Sequence, residues 1–189
     1  MSICFTADTH WCHDKLRTMQ PRPMADVIEM NELMIIRWNL VVQPSDTIYH
    51  LGDFSLGGSV AEIEDIFNRL NGHKILIKGN HDEKNNKILY RLKWENIRET
   101  QLIRIEDKFI WLSHYAHRSW PHSHVGSYHL YGHSHGNLPN LGKSMDVGVD
   151  THNYYPYTWQ EIKNILDPVP YSEPQHLGEE REPFNHLKG

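Results

Sequence analysis

Five short apolar runs in this chain each end on a small cluster of Asp, Asn and His: "ICFTADTH", "IYHLGD", "ILIKGNHD", "IWLSH" and "HLYGHSH". Runs of this length, bounded by glycine and polar residues, read as strands. The pattern calls for a fold in which several strands end side by side and deliver their polar tips to one place. Asp8 and His10, like His133 and His135, stand two residues apart. In an extended segment such pairs point to the same side. Two imidazoles facing one point pack poorly but share a ligand well. Gly52 and Gly79 precede Asp53 and Asn80, and a residue without a β-carbon allows a sharp turn that aims the next side chain into a cleft. Asp, Asn and His together are ligands of borderline hardness suited to Mn²⁺, Fe or Zn²⁺, with no thiolate among them.

Between these runs the period changes to that of helices. Asp26 with Glu29 forms a capping box for a helix through Val42, with Val27, Met30, Met34, Trp38 and Val41 on one face. Ser59 with Glu62 caps a second, whose buried stripe is Ile63, Ile66, Phe67 and Leu70 and which ends at Asn71-Gly72. "QLIRIEDKFIWLSH" reads as a hairpin turning near Asp107, "SMDVGVD" as a further strand, and Thr158 with Glu161 as the cap of a last helix through about Leu166. Strands alternating with helices place the chain in the α/β (α+β) class. The segment from 167 to 189 is Pro- and Glu-rich with few apolar anchors and reads as a tail outside the 1–166 domain.

The chain has 189 residues, enough for one domain with a real core. A net charge of −5 offers no broad basic surface for wrapping long nucleic acid. No apolar run is long enough to span a membrane, and the first residues lack the features of a signal peptide. Two cysteines, Cys4 and Cys12, supply neither a disulfide framework nor a four-cysteine zinc site, as expected for a cytoplasmic protein. Seven of the fifteen histidines fall between His114 and His135, a clustering that solubility does not require.

Each polar cluster alone has an ordinary reading, since surface turns use Asp-x-His, Gly-Asp and Gly-Asn-His-Asp freely. Their order within one domain is specific. The sequence resembles the calcineurin-like metallophosphoesterases at D-x-H (Asp8, His10), G-D (Gly52, Asp53), G-N-H-D (Gly79 to Asp82), a strand-end histidine (His114) and G-H-x-H (Gly132 to His135). It looks most like the small single-domain members of bacteria and their phages. The resemblance implies a four-layer α-β-β-α sandwich with a dinuclear metal site at the strand ends. It implies one cation on Asp8, His10, Asp53 and His135 and a second on Asp53, Asn80, His114 and His133, with Asp53 bridging. Mn²⁺ is the expected ion, with Fe, Zn²⁺ and Ni²⁺ as alternatives. The implied activity is metal-dependent hydrolysis of a phosphate ester by hydroxide attack on phosphorus, with His81 as the catalytic residue that protonates the leaving oxygen. A phosphodiester of a nucleotide or another small substrate is expected over a monoester. A non-catalytic metal-bound scaffold, or a nuclease acting on nucleic-acid ends, are the competing readings. The first needs a missing ligand, and every motif position is filled; the second needs a basic track along the backbone.

Other residues carry two readings each. His13, Arg22 and Arg118 are candidate substrate contacts, the arginines because a guanidinium fits two phosphate oxygens. Asp82 either orients His81 or caps a helix through Tyr90. Asp146 and Asp150 are placed to hold a liganding histidine in one tautomer. His50 reads as packed or supporting, and His117, His122, His124 and His129 as lining or supporting the cleft.

Overall fold

The computed structural model describes residues 1–20, 22–84 and 86–170. In chain order the elements are β1 (Ile3–Thr6), α1 (Asp14–Met19), α2 (Val27–Val41), β2 (Thr47–His50), α3 (Val60–Arg69), β3 (His73–Ile77), α4 (Asn80–Lys84), α5 (Asn86–Leu89), β4 (Asn96–Arg98), β5 (Thr100–Ile105), β6 (Lys108–Ser113), β7 (Tyr128–Tyr131), β8 (Ser144–Asp146), β9 (Tyr157–Thr158) and α6 (Trp159–Leu166). One sheet runs β4-β3-β2-β1-β9, with β1 to β4 parallel and β9 antiparallel at the edge. The other runs β5-β6-β7-β8, the β5/β6 hairpin antiparallel and β6 to β8 parallel. Glu106, at φ 53°, and Asp107 form the hairpin turn.

Two apolar cores follow from strand alternation. Phe5, Leu51, Ile77, Ile110, Leu112, Leu130 and Met145 meet between the sheets, and α6 adds Trp159, Ile162 and Leu166. The second core fills the space between the first sheet and α2 and α3, through Met30, Met34, Trp38, Ile48, Ile63, Ile66 and Phe67. Both helices carry the expected N-cap: Asp26 accepts from the Glu29 N–H, although Glu29 takes the Ala25 N–H instead of closing the expected capping box, and Ser59 and Glu62 form a complete one. Trp111 and His129, alternating with inward residues, face away from the inter-sheet core and meet the 115–127 segment instead. The expected α/β sandwich is the observed architecture.

The parallel strands β1, β2, β3, β6 and β7 run so that their C-terminal ends carry the polar clusters to one edge. Ligand sites in parallel sheets lie at that edge. Asp167, the first residue of the expected tail, is held by the Tyr128 hydroxyl and by Lys108 at 3.3 Å, while Lys143 donates to its carbonyl at 3.0 Å. The remaining expectation for that tail, from residue 171 onward, lies outside the described residues.

Candidate metal centre

The polar clusters converge, but not by strand alternation. β1 ends at Thr6 and β7 at Tyr131, so Asp8, His10, His133 and His135 all lie in loops. With Asp53 they adopt left-handed backbone: φ is 56° at Asp8, 48° at His10, 57° at Asp53, 68° at His133 and 48° at His135. A non-glycine residue held there costs roughly 1–3 kcal/mol, and such residues gather at functional sites. Alternation would have aimed each pair in parallel; the left-handed turns wrap the side chains around a point. Gly52 does have the φ of +95° that only glycine adopts easily. Gly79 serves by its lack of bulk, since a β-carbon there would stand 2.3 Å from Asp53 Oδ1.

The side chains form two groups. Donor atoms of Asp8, His10 and His135 lie within 4.8 Å of one another, and so do those of Asp53, His114 and His133. Asn80 joins the second group, its Oδ1 lying 3.1 Å from His114 Nε2. Asp53 stands between them: its Oδ2 is 3.6 Å from His10 Nε2 and 3.5 Å from His114 Nε2. The His81 ring packs edge-on to His10 with centroids 5.4 Å apart, its Nε2 is 3.9 Å from Asp53 Oδ2, and its backbone N–H donates to Asp53 Oδ1 at 2.9 Å.

Within these groups, charged or metal-binding side-chain atoms are left without partners. Asp8 Oδ1 and both ring nitrogens of His10 are buried with no hydrogen bond among the described residues. Buried polar atoms are nearly always satisfied, and an exception calls for an explanation. A divalent cation supplies one, because an unpaired carboxylate oxygen and imidazole lone pairs at this separation are its usual donors. The donor set fits two such ions.

Electrostatics point the same way. Burial lifts the Asp8 carboxyl to about 7 against the attraction of His114 and His135, and burial depresses His10 to about 2. Burial alone would lower His114, but its bond to Asp53 and the charges of Asp8 and Asp53 raise it to about 9. Burial would raise Asp53, yet His114, the His81 N–H and His10 hold it at about 2. A cation's own charge would reverse the tendencies at Asp8 and His114, ionising one and deprotonating the other.

Surrounding residues set the orientation of the ligands. His114 Nδ1 donates to the Leu51 carbonyl at 2.8 Å, leaving Nε2 toward the second group. His135 Nδ1 donates to Asp150 Oδ2 at 2.7 Å. Among the described residues Asp146 bonds no histidine ring; it shapes the loop by accepting from Ser134 Oγ, Gly136 N and Gly148 N at 2.6, 2.9 and 2.7 Å. Asp82 does not bond the His81 ring; it caps α4 from the helix's third position, accepting the N–H of Gly79 just before the helix. It lies inside α4, buried, and its carboxylate accepts from the N–H groups of Asp53, Phe54 and Gly79 at 2.8, 3.0 and 2.8 Å, so tying two ligand loops together. Sequence spacing cannot reveal the link to Asp53 and Phe54, which lie 29 and 28 residues away.

Arg22 has a buried guanidinium whose donors are directed to the protein's own atoms. It pairs with both Asp150 oxygens at 2.8 and 2.9 Å and donates to the carbonyls of Asp8 at 2.7 Å and Thr9 at 3.0 Å. It is a brace between the first ligand loop and the carboxylate behind His135, not a residue with donors turned toward a substrate. His13 lies beside the first group, its ring 5.7 Å from His10. Arg118 is exposed on the wall of a separate cavity of about 340 Å³ with Tyr131, Leu138 and Leu141. His50 is buried against Trp38, Phe54 and Trp94 and bonds Thr9 Oγ1 at 2.9 Å, a supporting position.

The Arg22–Asp150–His135 chain leads to a measurable expectation. Asp150→Asn keeps the shape but removes the charge that fixes His135. Loss of such an outer partner typically weakens metal binding about 10–100-fold. Titration of metal-free protein with Mn²⁺ should show one of two sites weakened by that factor. Two sites of unchanged affinity would remove Asp150 from this role.

A sequence model of the family described as calcineurin-like phosphoesterase matches residues 1–184. An uncharacterized protein of Methanocaldococcus jannaschii is 30% identical over 173 residues, covering 87% of this chain and 91% of that one. The gene 66 protein of Mycobacterium phage L5 is 37% identical over 81 residues, 41% of this chain and 38% of its own length. Among solved structures, a protein of unknown function from Aquifex aeolicus superposes with a TM-score of 0.71 at 24% identity, covering 87% of this chain and 98% of that chain, a likeness of fold.

Proposed function

Because the chain belongs to the calcineurin-like phosphoesterase family, we propose that it is a dinuclear-metal phosphodiesterase acting on a nucleotide or another small phosphodiester. The observation that carries this reading is the pair of ligand groups meeting at Asp53, with Asp8 and His10 atoms buried and unpartnered. Asp8, His10, Asp53 and His135 would hold one ion; Asp53, Asn80, His114 and His133 the other. When bound, two such ions supply Lewis acidity to phosphoryl oxygens and acidify a water for attack on phosphorus.

The chain's own residues account for the rest. Asp53 places one carboxylate between the groups, where it offsets the repulsion of two nearby cations. Leu51 O and Asp150 fix His114 and His135 with Nε2 turned to the ligand side. His81, partly exposed beside Asp53, is the proton donor to the departing oxygen. His13 and Arg118 remain proposed substrate contacts. His133 is exposed, so the site opens to solvent and leaves room for two substituents on phosphorus, which favours a diester. The same reading places the protein in the cytoplasm, with Cys4 and Cys12 both free, and assigns it no membrane or long nucleic-acid partner. Mn²⁺ suits the mixed N/O donor set.

The test is reconstitution. Metal-free protein loaded with Mn²⁺ should retain two ions per chain by elemental analysis and hydrolyse members of a panel of nucleotides and diesters. One ion or none in fully loaded protein would overturn the assignment.

A further inference from the structure

One flank of the site holds chemistry that phosphoester hydrolysis does not use. A groove of about 250 Å³ opens beside the second ligand group, and Asn80 and His114 belong to both. Its other walls are Lys78, Glu99, Tyr115 and His117. We propose that this groove is the subsite for the substituent that stays on phosphorus, and that it selects a hydroxyl-bearing group of the pentose type. The proposal rests on the dinuclear reading above and adds the substrate class.

His117 is the sharpest element. Its Nδ1 accepts from the Trp111 indole N–H at 3.0 Å, and an indole can only donate. The other ring nitrogen, Nε2, therefore carries the proton. Its backbone N–H donates to His129 Nε2 at 2.9 Å, and His129 in turn presents Nδ1 to the Trp111 carbonyl at 3.1 Å. Burial holds His129 neutral, its pKa lowered to about 4, which is consistent with that arrangement. Two fastenings to the outer face of the second sheet thus hold a loop histidine in one tautomer, with an N–H that no acceptor among the described residues takes.

Tyr115 completes the near wall. It is half-exposed, its ring lies 4.6 Å from that of His133, and its hydroxyl is 3.4 Å from Asn80 Oδ1. Once Asn80 turns that oxygen to a cation, the hydroxyl becomes available to whatever lies above it. At the other wall Lys78 and Glu99 form an ion pair. Donors on one side and a neutralised ion pair on the other match a polar, uncharged group. A second phosphate would find no net positive charge in that pair, and an apolar aryl group would leave the donors unmet. The side of phosphorus follows from His81, whose ring packs on His10 of the first group. The leaving oxygen departs there, and the groove abuts the second group.

The experiment uses two esters with the same leaving group, bis-p-nitrophenyl phosphate and the p-nitrophenyl ester of thymidine 5′-monophosphate, with Mn²⁺-loaded full-length protein. Loss of one hydrogen bond corresponds to a factor of about three to ten. His117→Leu and Tyr115→Phe should each lower the preference for the nucleoside ester over the bis-aryl ester by about that factor, chiefly through KM. His117→Gln, which keeps an N–H near the position of Nε2, should restore most of it. Calorimetric binding of thymidine 5′-monophosphate should weaken by the same factor in the two damaging variants, with two ions per chain retained. An unchanged preference and unchanged nucleotide binding in both variants would overturn the subsite. If loaded wild type hydrolyses neither ester, the phosphodiesterase reading fails, and nucleotide binding alone still decides the groove.

Discussion

Asp53→Asn should abolish the paired metal site, and its effect should exceed that of removing any other single ligand. Asp53 Oδ2 lies within 3.6 Å of an imidazole nitrogen from each group, and Asn there offers no negative charge to two adjacent cations. Several kcal/mol of Lewis-acid stabilisation are at stake; a loss of about 4 kcal/mol corresponds to roughly 10³-fold in rate. The substitution should leave the fold intact, because Asn adopts left-handed backbone more readily than most residues and the Asp53 N–H stays bound to Asp82. Circular dichroism should therefore match wild type while elemental analysis finds fewer than two ions per chain. By contrast, His10→Asn should spare the second group. An Asp53→Asn enzyme with normal activity would refute the bridging role.

His81→Gln should separate substrates by their leaving groups. The ring packs beside His10 and Asp53 but belongs to neither donor group, so both metals should remain. An alkoxide such as a ribose oxygen departs poorly unless protonated, whereas nitrophenolate leaves unaided. A positioned general acid contributes about 10²–10⁴-fold, and only where protonation matters. The variant should lose activity in that range on alkyl phosphodiesters and far less on bis-p-nitrophenyl phosphate. Equal losses on both would make His81 a stabiliser of developing charge instead, and no loss on either would take it out of the mechanism.

Much of this was legible before any coordinates. Apolar runs closing on Asp, Asn and His marked the strands, because burial favours apolar strand interiors and leaves polar groups to strand ends. Capping boxes at Ser59–Glu62 and Thr158–Glu161 marked two helix starts, since they satisfy backbone N–H groups within four residues. The ligand types followed from donor chemistry. What spacing could not supply was the manner of convergence. Asp8, His10, Asp53, His133 and His135 reach the centre through left-handed turns, and such turns are held by neighbours distant in sequence: Asp8 Oδ2 accepts the His133 N–H from 125 residues away.

The supporting residues show the same division. Arg22 reads in sequence as a candidate phosphate contact, and only packing reveals that Asp150, 128 residues later, takes its guanidinium. Asp82 reads as a cap or an aid to His81; it does take the N–H before its own helix, and the fold adds the N–H groups of Asp53 and Phe54 from another loop. His117 is one of seven histidines between His114 and His135 until Trp111 and His129 lock its tautomer. Local interactions, caps and alternation are written in neighbouring residues and so can be read from sequence. Which buried donor meets which acceptor depends on how the two sheets close on each other, and the tertiary structure alone decides it.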